Sequence, residues 1–317
     1  MVKPFAQICL IIPAYNEELT ITKTLEAFDS IAKDITILIV DNCSRDKTYE
    51  LAVNFKSKNR NDTLVVKEQS PGKANAFRKG LSSVAAECYV ICDADNTYHA
   101  PDFPLLVDAI LKEGFDMAVA ERHTSGDYAR ENKRKFHNLG NKLISKIVNT
   151  LYKSELQDIL SGYRAFSKNF IQSYSPTIAG FELETDLTIH ALDKKLSIKE
   201  ISSAYKDRPT GSISKLNTYS DGYRILKLVV RLIRYYKPIP FFTFAASVQF
   251  FLSLVLGWPS VSDYLKVRYV THVPSAILAT GLLLLSALTF LIGIILDSIN
   301  QSDKKVSVNA YIHHDSN

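Results

Sequence analysis

The sequence predicts an α/β domain with a mainly parallel sheet and helices on both faces, followed by a membrane segment of two helices. Over the first two-thirds of the chain, short apolar runs alternate with segments whose apolar residues recur at helical spacing. This alternation is typical of a parallel sheet covered on both sides. Charges are also uneven: of 38 basic and 33 acidic residues, only Asp263, Lys266 and Arg268 lie between Pro238 and Leu296.

The predicted elements follow in chain order. Strands are expected at 8–12, 35–40, 63–66, 88–92 and 116–120, and helices at 18–30, 46–55, 73–86 and 104–113. Further helices are expected at 136–151 and 180–196, an edge strand at 197–203 and a mobile loop at 206–218, which is rich in turn-forming and basic residues. Ligands of such sheets bind outside the carboxyl ends of the strands.

Composition excludes several classes of protein. A chain of 317 residues with 46% hydrophobic and 22% charged residues is neither disordered nor fibrous. Its net charge of +5 is too mild and too dispersed to indicate a nucleic-acid partner. The cysteines lack zinc-site spacing and are predicted to be reduced packing residues: Cys9, Cys43, Cys88 and Cys92. The apolar run at 8–12 is too short for a signal peptide, so the domain is expected in the cytoplasm.

The C-terminal region predicts a membrane anchor. Residues 219–237 are expected to form an amphipathic surface helix, and residues 238–262 and 273–296 to form two spans joined by an extracytoplasmic loop at 263–272. Two basic residues lie in the loop and seven flank the spans, so the positive-inside rule places both termini, including the 297–317 tail, in the cytoplasm. The flanking basic residues are Arg224, Lys227, Arg231, Arg234, Lys237, Lys304 and Lys305.

Acidic residues follow the strand at 88–92. Asp93-Ala94-Asp95 places two carboxylates directly after a buried strand, where they could hold a divalent cation and a nucleotide together, because hard cations such as Mg²⁺ and Mn²⁺ prefer oxygen ligands. The alternative is a solvated turn that only ends the strand.

Polar groups also follow the first two strands. Pro13-Ala14-Tyr15-Asn16-Glu17 follows the first strand and could hold a ribose or a base, or could simply begin a helix with acidic residues favoured by its dipole. Asp41 ends the second strand and could accept hydrogen bonds from a base edge, or could form an Asx turn.

The combination of motifs resembles the GT-A domain of family 2 glycosyltransferases. Pro-Ala-Tyr-Asn-Glu, Asp41-Asn-x-Ser-x-Asp-x-Thr, Pro-Gly-Lys73-Ala-Asn-Ala and Asp-Ala-Asp occur in that order. Downstream, Asp158-Ile-Leu-Ser-Gly-Tyr-Arg-Ala-Phe, Gly-Phe-Glu182-Leu-Glu and Arg208-x-x-Gly-x-x-Ser-Lys215-Leu resemble the dolichol-phosphate mannose synthase branch, which includes bacterial polyprenyl-phosphate glucosyltransferases. The resemblance covers residues 7–236. It departs at Thr97, where many relatives have a Gln that is often a metal ligand.

The resemblance implies an inverting transfer of one hexose from a nucleotide sugar to a polyprenyl phosphate, such as undecaprenyl or dolichol phosphate. UDP-glucose is the favoured donor and GDP-mannose the next. The resemblance further implies that Asp95, with Asp93, binds Mg²⁺ or Mn²⁺, and that Asp93 also orients the ribose or a metal-bound water. The nucleotide pocket would comprise Pro13, Ala14, Tyr15, Glu17, Asp41, Lys73 and Ala94. Asp158 and Glu182 would bind sugar hydroxyls or support the scaffold.

The acceptor phosphate calls for cationic groups. A phosphate monoester has a second pKa of about 6 and is therefore largely ionised at neutral pH. It does not require a strong general base, but the protein must position it beside the donor. By motif position the candidates are Arg122, Arg134 and Arg208, with Lys215 touching the donor diphosphate or the acceptor. The loop at 206–217 is expected to close over the loaded site and exclude water.

The remaining expectations concern location, partners and alternatives. The enzyme is expected in a membrane, and the bacterial inner membrane is favoured. A flippase and a downstream glycosyltransferase are the expected partner proteins, and a homo-oligomer is left open. One alternative is a GT-A enzyme acting on a glycolipid or glycan. Processive synthases generally carry a Gln-x-x-Arg-Trp motif, however, and the only tryptophan here is Trp258, inside a predicted span. The other alternative is a membrane scaffold with a degenerate site.

Overall fold

The computed structural model describes residues 5–55, 57–58, 61–122, 135–174, 183–204, 230, 233–234 and 237–314, with the backbone alone for 135–142 and 303–314. The chain divides into two compact units, residues 1–225 and 226–317. The predicted loop at 206–218 and nearly all of the predicted helix at 219–237 lie outside the described residues.

The first unit is a seven-stranded mixed sheet with helices on both faces. The strands are β1 (Phe5–Ala14), β2 (Thr36–Asp41), β3 (Asp62–Lys67), β4 (Ala85–Ile91), β5 (Met117–Glu121), β6 (Arg164–Ser167) and β7 (Ile198–Ser202), in the order β3-β2-β1-β4-β6-β5-β7. Among the described strands, only β6 runs antiparallel to its neighbours, β4 and β5. The helices are α1 (Ile21–Ile31), α2 (Thr48–Asn54), α3 (Lys73–Ser83), a 3₁₀ turn (Ala100–Asp102), α4 (Phe103–Leu111), α5 (Lys135–Tyr152), α6 (Lys168–Ser173) and α7 (Leu183–Lys194).

Two apolar layers sandwich the sheet. Leu10, Ile12 and Ile39 face one layer beneath α1 and α4, whereas Ile11, Leu38 and Val40 face the other, with α3 and α7. Side chains alternate between the two faces because successive residues of a strand point in opposite directions. The helix α3 comes close to the sheet at Gly80, where a Cβ atom would lie 2.7 Å from Ile11 Cγ2.

The predicted mainly parallel fold is confirmed, with differences at particular elements. The strand predicted from Cys88 begins at Ala85, and the preceding helix ends at Ser83 rather than at Ala86. Neither β6 nor α6 was expected, because each is only four to six residues long and such short segments show little periodicity. The predicted edge strand is confirmed as β7 at the end of the sheet.

The second unit contains two long helices, α8 (Pro238–Val267) and α9 (Val273–His314). Each contains a stretch long and apolar enough to cross a membrane, and 11% of that stretch is buried inside the protein, so most of its apolar surface faces outward. The helices pack against each other: Thr289 Oγ1 lies 3.0 Å from Gln249 Oε1, and Ser286 Oγ donates to the Ala246 carbonyl at 2.8 Å. The helix α8 extends to Val267, which shortens the predicted loop, and α9 continues past the predicted end of the second span.

Candidate active site

Polar residues collect at the carboxyl edge formed by β1, β2 and β4. Ala14, the last residue of β1, pairs with Asp41, the last residue of β2, and Asp93 and Asp95 follow β4, which pairs with the other side of β1. Asp41 is only 4% exposed, and its Oδ1 atom has no hydrogen-bond partner among the described residues. A buried carboxylate oxygen without a partner is costly, which makes this atom a candidate acceptor for a ligand N–H group.

The loops after β1 and β2 are joined by reciprocal hydrogen bonds. The Asn16 amide donates to Ser44 Oγ at 3.0 Å, and the Arg45 amide donates back to Asn16 Oδ1 at 2.8 Å. The Glu17 amide donates to Thr48 Oγ1 at 2.7 Å. Asn16 has a φ of 52°, a left-handed conformation that asparagine tolerates better than most residues. These contacts fix the loop that follows β1 at one side of the carboxyl edge of the sheet. At the start of this segment, Pro13 is partly buried, Ala14 is buried and Tyr15 is 41% exposed.

Asn42 connects β2 to the segment that precedes α3. Its Nδ2 donates to the Ser70 carbonyl at 2.7 Å, and its Oδ1 accepts the Gly72 amide at 2.7 Å. Gly72 has a φ of 126°, a backbone conformation that side chains disfavour. This turn places Lys73 at the first position of α3, beside the acidic segment that follows β4.

Lys73 lies between two carboxylates. Its ammonium forms a close ion pair with Asp93 and lies 2.5 Å from Glu184 Oε1, at the start of α7. Burial by itself lowers the pKa of Lys73, but Asp93 and Glu184 outweigh this effect and the pKa is raised. The backbone of Gly162 lies directly over the pair, because a Cβ atom there would come within 2.8 Å of both Asp93 Oδ2 and Lys73 Nζ. Lys73, Asp93 and Glu184 therefore form one cluster of contacting side chains, and Glu184 is a member that the sequence analysis did not single out.

Asp95 is buried and oriented from its own turn. Its Oδ1 accepts from Thr97 Oγ1 at 2.7 Å and from the Thr97 amide at 3.3 Å. The turn is anchored to α1, since Thr24 Oγ1 donates to the Ala94 carbonyl at 3.0 Å. Thr97 therefore directs its hydroxyl to Asp95. Among the described residues, no group of three or more His, Cys, Asp or Glu side chains is placed to hold a metal ion.

Arg122 and Asp158 form a buried pair at the end of β5. Arg122 Nε donates to Asp158 Oδ2 at 2.7 Å and Nη2 donates to Oδ1 at 2.9 Å, a bidentate geometry. The Asp158 amide in turn donates to Glu200 Oε1 of β7 at 2.9 Å. Burial raises the pKa of Glu200, while hydrogen bonds from the Asp158 and Gln157 amides act against this. The pair fixes the direction of the chain where it leaves β5.

Arg164 of β6 is fully buried and holds the segment that carries Asp158. Its Nε donates to the Ser161 carbonyl at 2.7 Å, its Nη2 to the Ile159 carbonyl at 2.5 Å and its Nη1 to Thr188 Oγ1 at 2.7 Å. Burial lowers the pKa of Arg164, and the neighbouring carboxylates Glu184 and Asp158 oppose this shift. The planar guanidinium thus binds backbone oxygens that an apolar side chain would leave unpaired.

The structure unites part of the predicted site. It brings together Asp41, Lys73, Asp93 and Asp95 at one edge, with Pro13, Ala14, Tyr15 and Glu17 in the adjoining loop. Four predicted residues lie outside the described residues: Arg134, Glu182, Arg208 and Lys215. Sequence reasoning missed Glu184 and the supporting roles of Gly162 and Arg164. It also missed Tyr98, whose Oη accepts a hydrogen bond from the Gly162 amide at 2.7 Å. Glu184 lies two residues after Glu182 in the quoted motif, so the signal was present, but the sequence did not show which glutamate reaches Lys73.

The fold and the acidic edge define the protein class. A mixed sheet with β1 and β4 adjacent, and Asp-Ala-Asp directly after β4, is the arrangement of a GT-A domain. Residues 9–174 match the family described as Glycosyl transferase family 2, and the chain belongs to this family. The resemblance drawn from the motifs is thereby confirmed.

Individual relatives support the same assignment. Glycosyltransferase AglJ of Haloferax volcanii is 26% identical over 295 residues, covering 92% of this chain and 93% of that protein. Polyprenol monophosphomannose synthase of Mycolicibacterium smegmatis is 26% identical over 227 residues, covering 68% and 83%. Glucosyl-3-phosphoglycerate synthase from Mycobacterium tuberculosis, crystallised with Mn²⁺, UDP and phosphoglyceric acid, shares the fold with a TM-score of 0.54 and 21% identity, over 72% of this chain and 78% of that chain.

Proposed function

We propose that this glycosyltransferase transfers a single hexose, with inversion, from a nucleotide sugar to a polyprenyl phosphate at the cytoplasmic face of a membrane. The observation that carries the proposal is the carboxyl edge of the sheet. There, Asp41 Oδ1, which has no hydrogen-bond partner among the described residues, and the Lys73–Asp93–Glu184 cluster adjoin one another through Asn42 and Gly72. The same chain carries two candidate membrane spans, which suit a lipid acceptor.

The donor is proposed to bind with its base at Asp41. The buried Oδ1 atom would accept an imino N–H, which both uracil and guanine present, and Pro13, Tyr15 and Glu17 lie in the adjoining loop. We favour UDP-glucose, since the M. tuberculosis neighbour is a UDP-binding glucosyl enzyme, and place GDP-mannose second, since the M. smegmatis relative is a mannose synthase.

The donor set suits a hard divalent cation. Asp95 is a buried carboxylate whose orientation is fixed by Thr97, and Mg²⁺ and Mn²⁺ prefer such oxygen ligands and share them with substrate phosphates. When bound there, the ion would offset the charge of the departing nucleoside diphosphate. Thr97 and Thr24 hold the Asp95 turn in place, so the carboxylate needs little rearrangement.

The acceptor is proposed to bind on the side of β5. The phosphate is its own nucleophile and is largely ionised at neutral pH, so the protein's task is to place it and to balance its charge. Asp158 fixes the plane of the Arg122 guanidinium. Arg134, Arg208 and Lys215 complete the proposed set, with Asp158 and Glu182 near the sugar or its scaffold, and closure of residues 206–217 would exclude water.

The membrane segment is proposed as an anchor, with both termini in the cytoplasm and the bacterial inner membrane as the location. The product's sugar would then face the cytoplasm, so a flippase and a downstream glycosyltransferase would act after this enzyme. A homo-oligomer is compatible with this arrangement.

A labelling experiment tests the proposal. Membranes containing the protein are incubated with radiolabelled UDP-glucose or GDP-mannose and Mg²⁺ or Mn²⁺, and the label is followed into chloroform extracts. We expect lipid-extractable label that is lost with EDTA and in the Asp95→Asn variant. The matched control, Asp108→Asn, removes an exposed carboxylate of α4 that pairs with Lys112 and should retain activity. Label found only in glycan would support the alternative acceptor, and absence of both activity and nucleotide binding would support the scaffold alternative.

A further inference from the structure

Gln249 places a primary amide deep within a candidate membrane span. This span runs from Pro238 to Val267, and its middle lies at residues 252 and 253. At a rise of about 1.5 Å per residue, Gln249 is therefore only about 5 Å along α8 from the middle of the span. The hydrocarbon core of a bilayer is about 30 Å thick, so a span that crosses it carries this amide inside the core.

The helical hairpin satisfies only part of the hydrogen-bonding capacity of Gln249. A primary amide has two N–H donors and an oxygen with two lone pairs. Among the described residues, its one hydrogen-bond partner is Thr289 of α9, whose Oγ1 lies 3.0 Å from Gln249 Oε1. The same hydroxyl also lies 2.8 Å from the Leu285 carbonyl, and its single proton serves one oxygen at a time. With either end of the amide turned toward Thr289, at least one N–H group and one lone pair remain for a further partner.

The free part of the amide faces away from the contact between the two helices. Ala246, Ser253 and Ser260 are buried and recur along the side of α8 that packs on α9. Gln249 lies beside this row and is partly exposed. Neither of its amide atoms is both buried and unpaired, so the group that Thr289 leaves free is open to the surroundings of the hairpin. Hydrocarbon chains offer no hydrogen bonds, and an unpaired amide among them is costly.

We propose that α8 forms a homodimer contact within the membrane, in which Gln249 of one copy exchanges hydrogen bonds with Gln249 of a second copy. A primary amide presents a donor and an acceptor side by side, so two amides related by a twofold axis satisfy each other. Glutamine side chains hold transmembrane helices together in this way. A lipid phosphate also accepts hydrogen bonds, but headgroups lie outside the hydrocarbon core. The inference rests on the proposed function only in taking α8 and α9 to cross a membrane.

Energy transfer between labelled copies in lipid vesicles tests this contact without any turnover. The purified full-length protein is labelled at Ser316→Cys in a Cys43→Ser background and reconstituted in vesicles of phosphatidylethanolamine and phosphatidylglycerol, which contain no other protein. We expect energy transfer that falls as the protein is diluted with lipid. Gln249→Leu should weaken association at least about threefold, as the loss of a hydrogen bond between transmembrane helices implies. Gln249→Asn, which keeps the amide, should weaken it less.

The matched control is Gln301→Leu. This substitution makes the same chemical change near the end of α9, where Gln301 is exposed and its Nε2 already donates to Asp297 Oδ2 at 2.6 Å. Association should stay within about twofold, because this amide has its partner inside its own helix. Gln249→Met, which keeps the length of the side chain, replaces Gln249→Leu if circular dichroism shows a loss of helix.

The outcomes separate this contact from the proposed function. An unaltered protein that stays monomeric at high protein-to-lipid ratios would overturn the inference, as would association that neither Gln249→Leu nor Gln249→Met weakens. Association found in cell membranes but not in the purified vesicles would assign the contact to a different protein and would also overturn it. Copies that associate through Gln249 but form no labelled lipid would refute the proposed function alone, whereas a monomer that forms labelled lipid would refute the dimer contact alone.

Discussion

At the scale of single residues, the site depends on buried charged groups whose partners differ. Lys73 has two carboxylates beside it, Arg122 has one carboxylate in bidentate contact, and Asp41 has an oxygen without a partner among the described residues. A buried polar atom without a hydrogen bond lowers the stability of the folded protein. A ligand that donates a hydrogen bond to Asp41 Oδ1 would remove this cost. Buried groups of this kind often mark functional sites.

Replacing Asp41 tests this reading. Asp41→Asn should weaken UDP or GDP binding by about tenfold, because hydrogen bonds to charged groups are stronger than neutral ones by roughly 1 kcal/mol or more. The melting temperature without ligand should stay equal or rise, because a buried charge has been removed. Calorimetric titration and thermal melts give the two quantities, with Asp108→Asn as the control. Unchanged nucleotide affinity would exclude Asp41 from the base site.

His190 makes folding stability depend on pH. It packs edge-on against Phe170 and Tyr174, its Nε2 lies 2.9 Å from Ser173 Oγ, and burial, assisted by Lys194, lowers its pKa from 6.5 to about 4. The folded protein therefore keeps the ring neutral where the unfolded chain binds a proton. Its contribution to stability is complete above pH 6.5 and is lost as pH falls toward 4.

The corresponding measurement is the melting temperature between pH 4 and pH 8. Unaltered protein should lose stability between about pH 6.5 and pH 4 more steeply than His190→Gln. Above pH 7 the two curves should run parallel, which supplies the internal control. Identical slopes in the acid range would contradict the assignment of a neutral buried imidazole.

At the scale of elements, the short strand β6 and the segment before it position several residues of the candidate site. The strand β6 lies antiparallel between β4 and β5, and it brings Arg164 under the segment that carries Asp158, and Gly162 over Lys73.

In the second unit, the close approach of α8 and α9 depends on a small residue at position 293. A Cβ atom at Gly293 would lie 2.7 Å from Phe242 Cβ, whereas nothing lies within 4 Å of a Cβ atom at Gly281.

The two glycines of α9 form a matched pair for mutation. Gly293→Ala should destabilise the packing of α8 on α9 by about 1–3 kcal/mol, the usual cost of overpacking. Gly281→Ala should be neutral or slightly stabilising, since alanine favours helix and meets no neighbour. Melting of the detergent-solubilised protein compares the variants. Equal effects of the two substitutions would show that α8 does not press against α9 at Gly293.

At the scale of the whole molecule, a GT-A unit and a helical hairpin occupy one chain. The hairpin carries apolar surface that water would not tolerate, and within it the described polar side chains Gln249, Thr289 and Ser286 bond between or within the helices. Under the proposed function, these two helices would anchor the enzyme at the membrane surface, where its lipid phosphate acceptor would be found.

Topology can be measured with single cysteines. In a Cys43→Ser background, the remaining native cysteines are buried. We expect Val270→Cys, between the candidate spans, to react with a membrane-impermeant maleimide from outside intact cells. Ser316→Cys should react only after permeabilisation, because the positive-inside rule predicts that the basic residues flanking the spans lie in the cytoplasm. Reversed labelling would place the catalytic unit on the opposite face.

The sequence by itself determined the alternation of strands and helices through β5, the acidic ends of the strands and the two apolar spans, because local periodicity and local composition encode these features. Only the tertiary structure decided that β6 inserts between β4 and β5, that Arg164 holds its own loop, and that Lys73 reaches Glu184 across 111 positions of the chain. Such contacts arise from strand register and from the meeting of distant segments at one edge of the sheet. No local pattern of residues specifies whether Glu182 or Glu184 contacts Lys73.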